Sequence, residues 1–378
     1  MKIGVLTWKL YNFGTALQAC ALVRYLGSQN ADAALLNYSL PDKSKLVRLN
    51  GTTLFNLCKK VKNRVDLLSG QRKNRKAAQQ YGTEIRLQAE RFRQFYAKIP
   101  QDSHKVGREE AAYFNGEYDK ILVGSDQVWS PKFFCETYFL DFVEDAKKYS
   151  YAASLGVSSL TPEEKNFLQD RLAHFQTVAV REPTGQQLLQ ELKLKRKVEC
   201  VLDPTLLLSG KEWEQLLQLE EKQDEKYILV YTLGENPWYK KVIQKVQKML
   251  NIQKVICITP NEKLYFYQGL GQVVADAGPV EFLNLLKNAA YVITDSFHGV
   301  CFSVNFQKQF TCLERFNGKS KGHENARVTD FLASLDLTFA MAKGEKEISV
   351  QPICYADAEQ KLNVNREHSK AYIQQLLK

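Results

Sequence analysis

Residues 288–307 read "NAAYVITDSFHGVCFSVNFQ". The first part is apolar and reads as a strand entering a core. The last part, "CFSVNFQ", reads as a short helix. Between them, Asp295, Ser296, Phe297, His298 and Gly299 form a strand-to-helix turn. In open α/β sheets, ligands sit beyond the carboxyl ends of strands, beside helix N-termini. Histidine is also the side chain whose ordinary proton affinity best suits acid–base work near neutral pH. Taken alone, the turn is either a capped turn with a hydrogen-bonded histidine or the display of an acid–base group.

Outward from this stretch the chain alternates strand and helix. Towards the N-terminus lie "KYILVYTLG", "KVICITP" and "QVVADAG", and after it "QFTCL". An earlier series starts with Lys2–Thr7 and a helix over "TALQACALVRYL". It goes on through "AALLNY", "DKILVG", "KYSYAAS", "TVAVR" and "KVECVLD". Thr161 and Pro162 open the helical "TPEEKNFLQDRLAHF" as N-cap and first-turn residue. Asp203-Pro204 separates the two series. The pattern predicts two doubly wound α/β domains facing across a cleft, 1–205 and 206–378, with "EHSKAYIQQLLK" as a final helix in the second. Neither GxGxxG nor a Walker A motif is present, which argues against an ordinary dinucleotide or NTPase site.

The composition is that of a soluble globular protein, 44% hydrophobic and 25% charged. No apolar run approaches the roughly eighteen residues of a membrane span. The first residues read as a strand rather than a signal peptide, so a cytoplasmic location is expected. The eight cysteines are scattered in apolar settings without a C-x-x-C pair, as expected of buried reduced thiols. The net charge is +10, and residues 43–98 hold 15 Lys/Arg against 3 Asp/Glu. Leu54, Leu57, Val61, Val65 and Leu68 fall at helical spacing within that basic insertion. It reads either as solvated helices or as peripheral contact with an anionic membrane or a lipid-linked anionic substrate. No DNA- or RNA-binding motif accompanies the charge, so nucleic acid is not an expected partner.

Four strand ends carry unusual polar residues. The first turn is Tyr11-Asn12-Phe13-Gly14, and the second is Gly124-Ser125-Asp126-Gln127-Val128-Trp129. The third is Arg181-Glu182-Pro183-Thr184, and the fourth is the His298 turn. Each has a bland reading: Asn12 and Asp126 as caps, Trp129 as core, Arg181 as an ion-pair partner. In a doubly wound protein, however, strand carboxyl ends face one cleft.

With these residues in place, the chain resembles the polysaccharide pyruvyl transferases. The resemblance rests on "NFGTALQACAL", "GSDQVWSP", "YAASLG", "VAVREPTGQQLL", "VLDPTLL", "VITDSFHGVCFSV" and "ARVTDFLASLDL", in that order along nearly the whole chain. It implies a GT-B-like fold of two Rossmann-like domains, with no tightly bound metal or other cofactor. It implies transfer of pyruvate from phosphoenolpyruvate onto two hydroxyls of a sugar, as a ketal on a glycan or its lipid-linked precursor. His298 matches the family's histidine and would be catalytic. Arg181 matches an arginine used for the donor anion, with Ser296 and Gly299 beside it. The family pattern has an arginine two residues before the histidine, where this chain has Ser296. Arg315, Lys319 or Lys321 are the candidates to supply the missing charge, or Ser296 hydrogen-bonds instead. Asn12, Gly14, Asp126, Gln127 and Trp129 are the expected acceptor or cleft residues. The rival expectations are a glycosyltransferase of the same architecture with a nucleotide-sugar donor, and a non-catalytic glycan- or lipid-binding relative.

Overall fold

The computed structural model describes residues 1–38, 79–107, 110–221, 225–259, 261–316, 325–346 and 348–378. Residues 43–78 of the basic insertion, and Lys319 and Lys321, lie outside the described residues.

The first unit is a parallel sheet of β1 (Lys2–Leu6), β2 (Asp32–Leu35), β3 (Lys120–Val123) and β4 (Lys148–Ser150), ordered β2-β1-β3-β4. Parallel bridges at Tyr149–Thr177 and Ala153–Val180 continue it into β5 (Val178–Val180) and β6 (Val198–Cys200). Two more, Leu35–Gln101 and Tyr38–Val106, add a segment outside β2. Counted in chain order the sheet is then 3-2-1-4-5-6-7, and its order reverses between β1 and β3. The second unit repeats the arrangement with β7 (Tyr227–Tyr231), β8 (Lys254–Ile258), β9 (Gln272–Val273), β10 (Tyr291–Thr294), β11 (Phe310–Leu313) and β12 (Met341–Ala342). Its order is β12-β11-β10-β7-β8-β9, again all parallel, and it reverses between β7 and β10. The central strands β7 and β10 are buried at every residue, which is why they read as unbroken apolar runs.

Helix α1 (Phe13–Ser28) is buried over most of its length, including all of Phe13–Val23. It can be, because it lies between the first sheet and the second unit. Phe13 stacks on Phe282 at 4.7 Å and meets Tyr231 edge-on at 5.6 Å. Phe282 belongs to α8 (Pro279–Asn288). One hydrophobic core therefore runs from β1 through α1 into β7 and α8 without a break at the domain boundary.

The described end of the basic insertion is a helix, α2 (79–97). It does not stand free. Phe92 stacks on Phe13 and Tyr11, and Arg91 pairs with Asp276 at 3.0 Å and Glu281 at 3.3 Å in the second unit. The remaining helices are α3 (Tyr113–Glu117), α4 (Pro162–Leu172), α5 (Pro183–Gln190), α6 (Gly210–Leu217), α7 (Trp238–Leu250), α9 (Phe297–Asn305), α10 (Ala326–Ser334) and α11 (Tyr355–Leu376). Thr161 and Glu164 form a full capping box on α4.

The last helix crosses between units. Near its start Glu359 accepts from Gln307 of the second unit at 3.0 Å. Towards its end Tyr372 donates to Ser150 O at 2.9 Å, and Ser369 Oγ accepts from Leu202 N at 2.9 Å, both in the first unit. Among the described residues no helix is long and apolar enough to cross a membrane.

Candidate active site in the interdomain cleft

The expected strand-to-helix turn is shorter than its sequence suggests. Helix α9 begins at Phe297, so His298 stands within its first turn and not in the connection before it. Ser296 is the N-cap, with its hydroxyl accepting from Gly299 N at 3.4 Å. Asp295 holds the connection by accepting from Leu233 N at 2.6 Å, Gly234 N at 2.7 Å and Tyr239 Oη at 3.0 Å. A Cβ on Gly299 would come within 2.2 Å of Thr294 Oγ1, so glycine there lets α9 sit down on β10.

His298 points out of the second unit into the first. A Cβ on Gly14 would lie 2.0 Å from its Nδ1. Only a glycine in the first turn of α1 leaves room for the ring. The other ring nitrogen, Nε2, lies 3.4 Å from Asp203 Oδ2. The same oxygen accepts from Arg181 Nη1 at 2.7 Å and Ser125 Oγ at 3.1 Å, while Oδ1 accepts from Thr205 N at 3.0 Å and Thr205 Oγ1 at 2.7 Å. Arg181 also donates from Nη2 to Asp126 Oδ1 at 3.2 Å, and its guanidinium lies 4.5 Å from the centre of the Phe297 ring. Asp126 Oδ2 accepts from Thr15 Oγ1 at 2.8 Å. Three strand ends of the first unit and one of the second thus converge on one buried array.

The electrostatics follow from that array. Burial by itself would raise the Asp203 carboxyl. The charges of His298 and Arg181 overcome it and hold Asp203 far below the ordinary carboxylate range. Asp126 is likewise lowered, because Arg181, His298 and Arg327 outweigh its burial. Glu182 goes the other way. Burial raises it despite the Arg181 charge, although its Oε1 accepts from Ser154 Oγ, Leu155 N and Gly156 N at 2.8–3.0 Å. Arg181 is raised, since Asp126, Asp203 and Glu182 outweigh its desolvation.

Of the residues expected at the site, Gly14, Asp126, Arg181 and His298 come together. Asn12 caps α1, accepting from Thr15 N at 3.2 Å. Ser296 and Gly299 shape the α9 turn beneath the histidine. Gln127 is turned aside against Gly156. Trp129 lies in a separate core of the first unit, where its indole donates to Tyr138 O at 2.9 Å. Arg315 donates to Asp295 O at 2.7 Å and lies 3.3 Å from its carboxylate, so it braces the α9 connection. Residues that the sequence did not single out are Thr15, Ser125, Asp203 and Arg327. Asp203 follows β6 three residues on, as Arg181 follows β5 directly, and that placement was a usable signal. Among the described residues no group of three or more His, Cys, Asp or Glu gathers as a metal site.

Fold and cleft together define a two-domain, GT-B-like α/β protein with a buried histidine braced from the facing domain. The chain belongs to the polysaccharide pyruvyl transferase family, whose model matches residues 12–315. No curated protein matches the chain. In structure it is similar to UDP-GlcNAc 2-epimerase from Methanocaldococcus jannaschii, at 13% identity and TM-score 0.53 over 97% of this chain and 92% of that one. It is similar also to UDP-GlcNAc 2-epimerase from Neisseria meningitidis bound to UDP-GlcNAc, at 12% identity and TM-score 0.52 over 100% of each. At these identities the likeness is one of fold.

Proposed function

We propose that the chain transfers pyruvate from phosphoenolpyruvate to two hydroxyls of one sugar, forming a cyclic ketal during synthesis of a cell-surface polysaccharide. The observation that supports this most is the His298–Asp203–Arg181 array at the cleft. The Asp203 carboxylate lies beside Nε2 and orients the imidazole, which exchanges a proton with substrate. Carbon 3 of the donor takes that proton while positive charge develops at carbon 2. A sugar hydroxyl adds at carbon 2 and returns its proton to the imidazole. The second hydroxyl then displaces phosphate from carbon 2, and its proton leaves on the departing phosphate. In sum, one proton enters at carbon 3, two leave the hydroxyls, and phosphate departs.

Arg181 is fully enclosed and already spans Asp126 and Asp203. Its part in this scheme is to hold Asp203 behind the histidine. The acceptor is a glycan or its lipid-linked precursor, met on the cytoplasmic side of the membrane. Incubation of the full chain with phosphoenolpyruvate and candidate acceptors, read by mass spectrometry, tests the proposal. A product carrying one ketal-linked pyruvate is the expected outcome. A product that forms only with a nucleotide sugar would replace the reading with glycosyl transfer.

A further inference from the structure

Arg327 is 8% exposed, and among the described residues it makes no hydrogen bond and no ion pair. Its Nε is buried without a partner. A buried guanidinium normally has a carboxylate or phosphate against it, because leaving the charge unpaired is costly. The neighbouring arginines are both used. Arg181 is bound by Asp203 and Asp126, and Arg315 is bound by Asp295. Among the described residues, Arg327 is the one of these three arginines with no carboxylate bound to it.

Its position is fixed by both units. Three residues on, along the same face of α10, Asp330 accepts from Thr184 N at 3.0 Å at the start of α5. That face is therefore turned to the Arg181–Thr184 turn. Before it, Asn325 donates to Phe316 O at 2.7 Å and to Glu314 Oε1 at 3.2 Å, which ties α10 to the segment carrying Arg315. Burial and the Arg181 charge, with a smaller push from Arg315, pull the Arg327 guanidinium down to about 9, against Asp126 and, less, Glu182. Two cations flank it, and Glu182 is pushed towards its neutral form. A group carrying a double negative charge suits that setting better than a carboxylate does.

We propose that Arg327 is the receptor for the phosphate group of the donor, and so supplies the cation that the chain lacks at Ser296. The inference rests on the donor being phosphoenolpyruvate. Arg181 keeps its carboxylates throughout, and Arg327 closes two N–H donors on the phosphate oxygens.

The test uses the full chain and Arg327→Gln, with inorganic phosphate, phosphoenolpyruvate and pyruvate as probes in thermal melts, and with turnover where the reaction can be assayed. Wild type should be stabilised by phosphate and by phosphoenolpyruvate, and not by pyruvate. Arg327→Gln should lose both shifts and raise the KM for phosphoenolpyruvate about 10- to 100-fold, the usual worth of a hydrogen bond to a charged group, with kcat changed far less. Without any probe, Arg327→Gln should melt no lower than wild type, because an unpaired buried charge has gone. An arginine that merely supports the fold would give a lower melting point and unchanged phosphate shifts, and that result overturns the proposal. So does a wild type that phosphate fails to stabilise. Phosphate shifts that depend on Arg327, without any response to phosphoenolpyruvate, would uphold the receptor and remove the pyruvyl donor.

Discussion

At the scale of the residue, the site turns on the fit between Gly14 and His298. The histidine reaches across the cleft and lays its ring on the first turn of α1, where any side chain would collide with Nδ1. Gly14→Ala should therefore behave like His298→Gln. Each should lower turnover about 10²–10⁴-fold, the span a general acid–base group contributes. Stability should separate them little. Alanine in a helix gains about 0.5–1 kcal/mol over glycine, and the overpacking it causes costs about 1–3 kcal/mol. Turnover of Gly14→Ala within tenfold of wild type would show that the ring is not held where the chemistry needs it. Sequence alone carried His298 and Arg181, since each stands at a strand end. It did not single out Arg327, which lies inside the quoted "ARVTDFLASLDL" with nothing local to mark it. Nor did it carry the role of Asp203, because an Asp-Pro pair reads first as a boundary.

At the scale of the element, α10 and α5 meet head to side across the cleft. Asp330 takes the free N–H of Thr184 in the first turn of α5, a capping contact supplied by the other unit. Asp330→Ala should lower the unfolding free energy by about 0.5–2 kcal/mol, the usual worth of such a cap. It should also weaken donor binding, because the same contact orients the face that carries Arg327. Chemical denaturation and the KM for phosphoenolpyruvate check the two effects separately. A variant with both values unchanged would mean that the helices are registered by packing alone. The alternation of strands and helices was plain in the sequence, because buried parallel strands are apolar throughout. Element limits were less plain. Helix α9 starts earlier than its apolar run suggests, since Ser296 supplies the cap. Helix α11 extends back to Tyr355, well before the stretch that looked helical. The two-residue strand β12 carries too short a pattern to read.

At the scale of the whole molecule, the buried ion pairs couple stability to acidity. The Asp203 carboxyl is lowered in the folded state, so it contributes stability above its unfolded value of about 4 and loses that contribution as the pH falls towards its folded value. Removing the charge also takes from Arg181 the nearer of its two hydrogen-bonded carboxylates. Asp203→Asn should thus cost about 3–5 kcal/mol near neutral pH, the range for breaking a buried ion pair. The gap from wild type should narrow as the pH drops below about 4. Melting curves across that range check the sign, and a gap that widens in acid would contradict it.

The crossing helix α11 has a consequence for the order in which the protein is made. The surface it covers, at Ser150 and Leu202, belongs to the half of the chain that leaves the ribosome first. The residues that cover it, Ser369 and Tyr372, follow after the whole second unit. At about 5–20 residues per second, the early half waits on the order of ten to thirty seconds with that surface uncovered. Nascent chains paused before α11 are where a chaperone would find this protein.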